Sequence, residues 1–205
     1  MKIKVCGLKY PENIEAVTAL QPDYVGFIFY GKSPRYMAGL AADVLKSLPE
    51  GIKTTGVFVN ESAENINSLI AEYGFEAIQL HGNESPEFCA GFKGNVTILK
   101  AFGINEDFDF EQLKDYANNV DFFLFDTKTK EYGGSGKTFD WGILDQYRLD
   151  VPFFLSGGLG PENIEEVKNI NHPQFYGVDL NSRFEIEPGL KNIEKLEKAF
   201  AIIKQ

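Results

Sequence analysis

Short runs that are apolar on both faces recur along the chain with amphipathic stretches between them, and this alternation constrains the fold more than any other feature. The runs are IKVC at 3–6, YVGFIF at 24–29, TTGVFV at 54–59, AIQL at 77–80, VTILKAF at 96–102, DFFLFD at 121–126, VPFFL at 151–155 and FYGVDL at 175–180. A strand exposed on one face alternates apolar and polar residues, so near-continuous runs mark buried parallel strands. Helix-like segments lie between them, such as PENIEAVTAL at 11–20, SAENINSLIAEYG at 62–74 and PENIEEVKNI at 161–170, with Pro or Ser near their starts. About eight strand–helix units follow one another, the number that closes a barrel. The expected fold is therefore α/β, a single (βα)8 TIM barrel over residues 1–205, with an open doubly wound sheet as the alternative. Such barrels usually take about 250 residues, and about 200 is near their lower limit, so the loops must be short.

PENIE occurs at 11–15 and again at 161–165. No longer periodic similarity surrounds either copy, so the repeat reads as shared helix-start chemistry, with Pro in the first turn and Glu near the positive helix end.

The net charge of −10 removes the electrostatic basis for binding nucleic acid or an anionic membrane, both of which recruit basic faces. An anionic ligand would need local donors working against the overall field, such as backbone amides and helix N-termini. The apolar runs are too short to span a bilayer, and Tyr10, Pro11 and Glu12 arrive before an export signal could form. Two cysteines without CxxC spacing point to neither a disulfide framework nor a zinc site. The expected setting is the cytoplasm, with no metal.

In a barrel of this kind, chemistry sits where strands pass into loops on the C-terminal face. The residues there are Cys6-Gly7, the loop from Lys32 to Arg35, Asn60, His81-Gly82, Asp126, Ser156-Gly157-Gly158 and Asp179. Cys6 is either a small buried hydrophobe or, if a cation or helix end brings its thiol toward working pH, a base. Asp126 ends an apolar run; it is a cap, a partner for Lys128, or an acid whose partly apolar pocket lets it hold a proton. Gly157 and Gly158 make a tight connection or turn their amides toward an anion, with Asn181, Ser182 and Arg183 as the matching loop after the last strand. Arg35 is a solvated arginine or a fork for a carboxylate. His81 binds a ligand or anchors the Gly82 turn. Cys89 reads as core and His172 as a surface turn residue. The glycine-rich stretch 132–138 is no Walker loop, because Glu131 stands where glycine is required; it reads as a plain turn or a loop that closes over a ligand.

Taken in order, Lys4 to Gly7, Gly26 to Phe29 with Ser33 to Arg35, Gly56 to Asn60, Gln79 to Gly82, Asp126 to Lys128 with Gly133 to Trp141, Leu155 to Leu159 and Asp179 to Glu185 resemble the phosphoribosylanthranilate isomerases of tryptophan biosynthesis. The resemblance covers nearly the whole chain. It implies an Amadori rearrangement of N-(5-phosphoribosyl)anthranilate without a cofactor, with a small phosphorylated substrate as the partner and a monomer or homodimer as the assembly. It also implies Cys6 as general base, Asp126 as general acid, Arg35 on the anthranilate carboxylate, and His81, Gly157, Gly158, Asp179, Asn181 and Ser182 around the substrate. Lys9 and Arg183 depart from the residues common in that family. The related isomerase of histidine biosynthesis uses two aspartates and two phosphate sites, whereas the first strand here ends in Cys6. A noncatalytic phosphate-binding barrel is the remaining alternative, and both catalytic candidates are present to argue against it.

Overall fold

A computed structural model of the chain describes residues 1–37, 39–127 and 139–205. Each of the eight apolar runs forms a strand: β1 Lys2–Cys6, β2 Tyr24–Ile28, β3 Lys53–Phe58, β4 Ala77–Leu80, β5 Thr97–Ile104, β6 Phe122–Thr127, β7 Phe153–Leu155 and β8 Phe175–Leu180. They pair in sequence order into a closed barrel. The β1–β8 seam is parallel, with Lys4 opposite Asp179 and Val5 opposite Leu180.

Because strand residues alternate in direction, the eight runs supply two cores. Ile3, Val5, Phe27, Ile78, Leu80, Phe123, Phe125 and Leu155 belong to the large cluster that also takes in the helices. Tyr24, Ala77, Leu99, Ala101, Leu124 and Phe154 form a smaller separate cluster that fills the barrel. Each such large side chain, fully buried, stabilises the fold by about 1.5–3 kcal/mol relative to exposure. The filled interior leaves room for a ligand only above it, at the strand ends.

The outer layer is economical, as a chain of this length requires. Five α-helices are present among the described residues: α1 Pro11–Ala19, α2 Ala42–Lys46, α3 Ala63–Tyr73, α4 Pro86–Ala90 and α5 Ile193–Ile203. The Ser62 hydroxyl caps α3 by accepting from the Asn65 amide at 3.2 Å, and Gly74 ends it at φ 70. Among the described residues, the connections after β5, β6 and β7 hold 3-10 turns in place of α-helices, at Phe110–Tyr116, Trp141–Gln146 and Ile164–Asn169.

The two PENIE copies part company here. The first opens α1, whereas residues 161–163 form turns and only a 3-10 segment follows. Asn163 is the cause: its amide donates to the Gly158 carbonyl at 3.0 Å and accepts from the Gly160 amide at 2.8 Å, holding it at φ −131, ψ −1. Asn13 instead donates to the Lys191 carbonyl at 2.9 Å and accepts from the Lys191 amide at 2.7 Å, leaving α1 intact. Residues 161–170 are therefore not the helix that their sequence suggests.

Beyond β8 a short hairpin, β9 Glu185–Glu187 with β10 Leu190–Lys191, had no counterpart in the sequence reading. His172 also differs from expectation. Its Nδ1 accepts from the Gln174 amide at 3.1 Å and its ring lies against Phe153 and Tyr147, so it anchors the entry to β8 and is half-buried.

Candidate active site

The strand ends converge on a cavity lined by Cys6 of β1, Gln79 of β4, His81 just beyond it, Asp126 of β6, and Asp179 and Asn181 at the end of β8. A second hollow shares Asp126, Asp179 and Asn181 with it and adds Gly157, Gly158 and Ser182. Residues from opposite ends of the chain therefore face one space.

Cys6 is 3% exposed. Opposite it stands Gly26, where a Cβ would lie 2.8 Å from the Cys6 sulfur, so glycine is needed for the thiol to occupy its place. A thiol that is to act as a base near neutral pH needs a nearby cation to bring it down. Two cations act on it, Lys4 and Lys191, but burial outweighs them and Asp179 opposes them, so the thiol is displaced upward.

Asp126 is half-buried, and its Oδ1 accepts from the Thr127 amide at 2.8 Å. Its Oδ2 lies 3.4 Å from His81 Nε2, while His81 Nδ1 lies 2.6 Å from Gln79 Nε2. With the Gln79 amide as donor, Nδ1 is the acceptor and the ring proton sits on Nε2, aimed at Asp126. That gives His81 a place beside the acid. The Gly82 turn is anchored otherwise, by Glu84 accepting from the Gly82 amide at 2.9 Å and Lys100 donating to the Gly82 carbonyl at 2.8 Å.

Gly157 has φ +82, and a Cβ there would meet Thr127 at 2.4 Å and Asp126 Oδ1 at 2.6 Å. Only glycine allows this loop to approach the Asp126 carboxyl so closely. The hydrogen bonds of the described residues leave the Gly157 and Gly158 amides without an acceptor, and the Ser182 amide opens a 3-10 turn, where amides go unpaired. The amides thus border the hollow without depending on the α-helix that the sequence suggested.

Comparison with known proteins meets this arrangement from another side. Residues 3–201 match the family model described as N-(5'phosphoribosyl)anthranilate (PRA) isomerase. The chain belongs to the phosphoribosylanthranilate isomerase family. It is 48% identical over 200 residues to the N-(5'-phosphoribosyl)anthranilate isomerase of Parabacteroides distasonis, covering 96% of this chain and 90% of the relative. The crystal structure of the Thermotoga maritima phosphoribosyl anthranilate isomerase superposes with a TM-score of 0.88 at 35% identity, over 100% of this chain and 98% of that one. Another solved phosphoribosyl anthranilate isomerase, 31% identical with a TM-score of 0.84 and covering 100% of this chain and 98% of that one, holds reduced 1-(o-carboxyphenylamino)-1-deoxyribulose 5-phosphate. The (βα)8 TIM barrel expected from the apolar runs is the fold observed.

Arg35 is not a free fork. Its Nη2 donates to Glu185 Oε2 at 2.7 Å and its Nε to Oε1 at 2.9 Å, and its side chain is only 11% exposed. Glu185 also accepts from Lys191 Nζ at 2.7 Å, and Lys191 donates to Asn181 Oδ1 at 2.8 Å. The two cations hold the Glu185 carboxyl below the usual carboxylate range, while burial pushes Lys191 down to about 8. Both sequence readings of Arg35 were incomplete, because its first carboxylate partner lies 150 positions away.

Asp179 is 4% exposed; its Oδ2 accepts from Lys4 Nζ at 3.0 Å, and its Oδ1 is buried without a partner among the described residues. Cys89 lies in the core within α4, where burial pushes its thiol up to about 11. Arg183 pairs with Glu162 across the two loops. The stretch 132–138 and Lys128 lie outside the described residues. Among those described, no group of His, Cys, Asp and Glu is placed to hold a metal ion, and no helix is long and apolar enough to cross a membrane.

Sequence reasoning did not single out Gln79, Glu185, Lys191 or the role of Lys4. Lys4 carried a signal, a charged residue inside an otherwise apolar strand. Glu185 and Lys191 carried none, since their meaning comes from a hairpin folded back on α1 and on the loop after β1.

Proposed function

We propose that the chain catalyses the Amadori rearrangement of N-(5-phosphoribosyl)anthranilate to 1-(2-carboxyphenylamino)-1-deoxyribulose 5-phosphate, in tryptophan biosynthesis. The observation that carries this reading is a thiol and a carboxyl group, Cys6 and Asp126, facing one cavity beside a hollow bordered by Gly157 and Gly158, whose amides have no acceptor among the described residues. Asp126 donates its proton to the furanose ring oxygen, the C1–O bond breaks, and the anilino nitrogen lone pair forms a Schiff base at C1. The His81 Nε2 proton, 3.4 Å away, then steadies the new carboxylate. The iminium acidifies the C2 proton, which the Cys6 thiolate removes to give an enolamine; protonation at C1 and loss of the C2 hydroxyl proton yield the ketone. The Gly157, Gly158 and Ser182 amides hold the phosphate, Asp179 and Asn181 face the sugar, and Arg35, oriented by Glu185, meets the anthranilate carboxylate.

A monomer or a homodimer fits this reading, and a relative from Thermotoga maritima is described as dimeric. A cytoplasmic location suits such a biosynthetic step. The histidine-pathway isomerase is disfavoured because β1 ends in a thiol. The test is restoration of tryptophan-independent growth in a strain lacking the isomerase, with a histidine-requiring strain as the parallel arm. Growth in the first alone is expected, and growth only in the second would sink the assignment.

Arg35→Met is expected to raise KM more than it lowers kcat, because a carboxylate remote from the reacting carbons is gripped equally in ground and transition states. Glu185 keeps Lys191 as a partner in this variant, so the fold should survive. Steady-state kinetics showing a loss confined to kcat would place Arg35 in the chemistry instead.

A further inference from the structure

Lys4 is 0% exposed, its Nζ 3.0 Å from Asp179 Oδ2 inside the barrel. Buried ion pairs are weak devices for stability, since well-packed apolar residues often serve as well. The neighbouring interior positions show that apolar filling is available here, with Leu99, Leu124 and Phe154 packed together. Lys4 also lies two residues before Cys6, on the same inward face of β1, so its ammonium and the thiol share the barrel interior and the positive charge favours the thiolate. A thiolate formed at 3% exposure has almost no water to stabilise it, so its countercharge must come from the protein.

We propose that Lys4 is a positioning residue for the base: its ammonium, buried against Asp179 on the face of β1 that carries Cys6, supplies the positive charge against which the Cys6 thiolate forms. The inference rests on the reading of Cys6 as the base. The groups facing Cys6 are Lys4 on its own strand, Asp179 of β8 and Lys191 of β10, with Asp126 of β6 and His81 beyond β4 across the cavity. Asp179 partly neutralises Lys4 and opposes the thiolate, while Lys191 is itself engaged by Glu185 and Asn181. Lys4 thus has two duties, pairing with Asp179 and balancing the charge on Cys6 when its proton leaves.

The test follows the rate of Cys6 alkylation by iodoacetamide against pH, with Cys6 and Cys89 separated by peptide mass spectrometry. Lys4→Met alone would strand Asp179 as an unpaired buried charge, so Lys4→Met/Asp179→Asn is compared with Asp179→Asn. The double variant is expected to react at least about tenfold more slowly at fixed pH, its midpoint raised by about one pH unit or more. Asp179→Asn alone is expected to move the midpoint below that of the wild type, because it removes a negative charge and keeps Lys4. A purely structural pair would not shift one thiol in opposite directions. Equal midpoints in the double variant and Asp179→Asn, or no downward shift in Asp179→Asn, overturn the proposal. Alkylation needs no turnover, so this failure is distinct from failure of the base assignment, which is read from the activity of Cys6→Ser.

Discussion

Cys6→Ser is expected to fold, to bind the reduced product analogue, and to lose turnover by at least about 10²-fold, the usual scale for loss of a general base. Serine is close to cysteine in shape and meets the same Gly26 backbone, so the packing that leaves Cys6 3% exposed is kept. What is lost is the base. A thiol ionises near pH 8.5 in model compounds, and burial displaces Cys6 upward from there, whereas a hydroxyl does not ionise in the accessible range. A base with a raised pKa is seldom ionised but strong when it is, which suits a C2 proton already acidified by the iminium. Inactivation of the wild type by iodoacetamide should accelerate toward alkaline pH, since only the thiolate reacts, and bound product should protect. Labelling of Cys89, with its thiol near 11 and its side chain in the core, should not track activity. Most of the activity surviving in Cys6→Ser, or inactivation that follows Cys89, would remove the thiol from the mechanism.

Asp126→Asn is expected to leave stability and substrate binding near those of the wild type and to lower kcat by at least about 10²-fold. The carboxamide oxygen can still accept from the Thr127 amide, which holds Oδ1 at 2.8 Å. Its nitrogen, however, would face the His81 Nε2 proton across the 3.4 Å now spanned to Oδ2, and a carboxamide N–H is far too weak an acid to protonate the ring oxygen. Ring opening would then wait on water. Single-turnover measurements should show slow chemistry with the substrate still bound; near-normal turnover would show that the acid lies elsewhere.

These predictions rest on residues of differing legibility. The eight strands could be read from the chain because a parallel strand buried on both faces must be apolar at nearly every position, and this holds wherever its neighbours lie. Cys6, Asp126, Gly157 and Asp179 were visible as candidates because they follow such runs, at the end of the barrel where loops leave room for a ligand. The α-helical start at 161 was not decided by its letters: the same PENIE makes α1 when Asn13 bonds Lys191, and turns when Asn163 bonds Gly158 and Gly160. Nor could the chain show that Arg35 is already gripped by Glu185, or that Lys4 sits against Asp179, 175 positions away. Apolar periodicity and turn chemistry are local and survive in one dimension. The charge on a thiol and the partner of an arginine depend on what barrel closure brings within a few ångströms: the β1–β8 seam sets Lys4 against Asp179, and the hairpin beyond β8 sets Glu185 against Arg35.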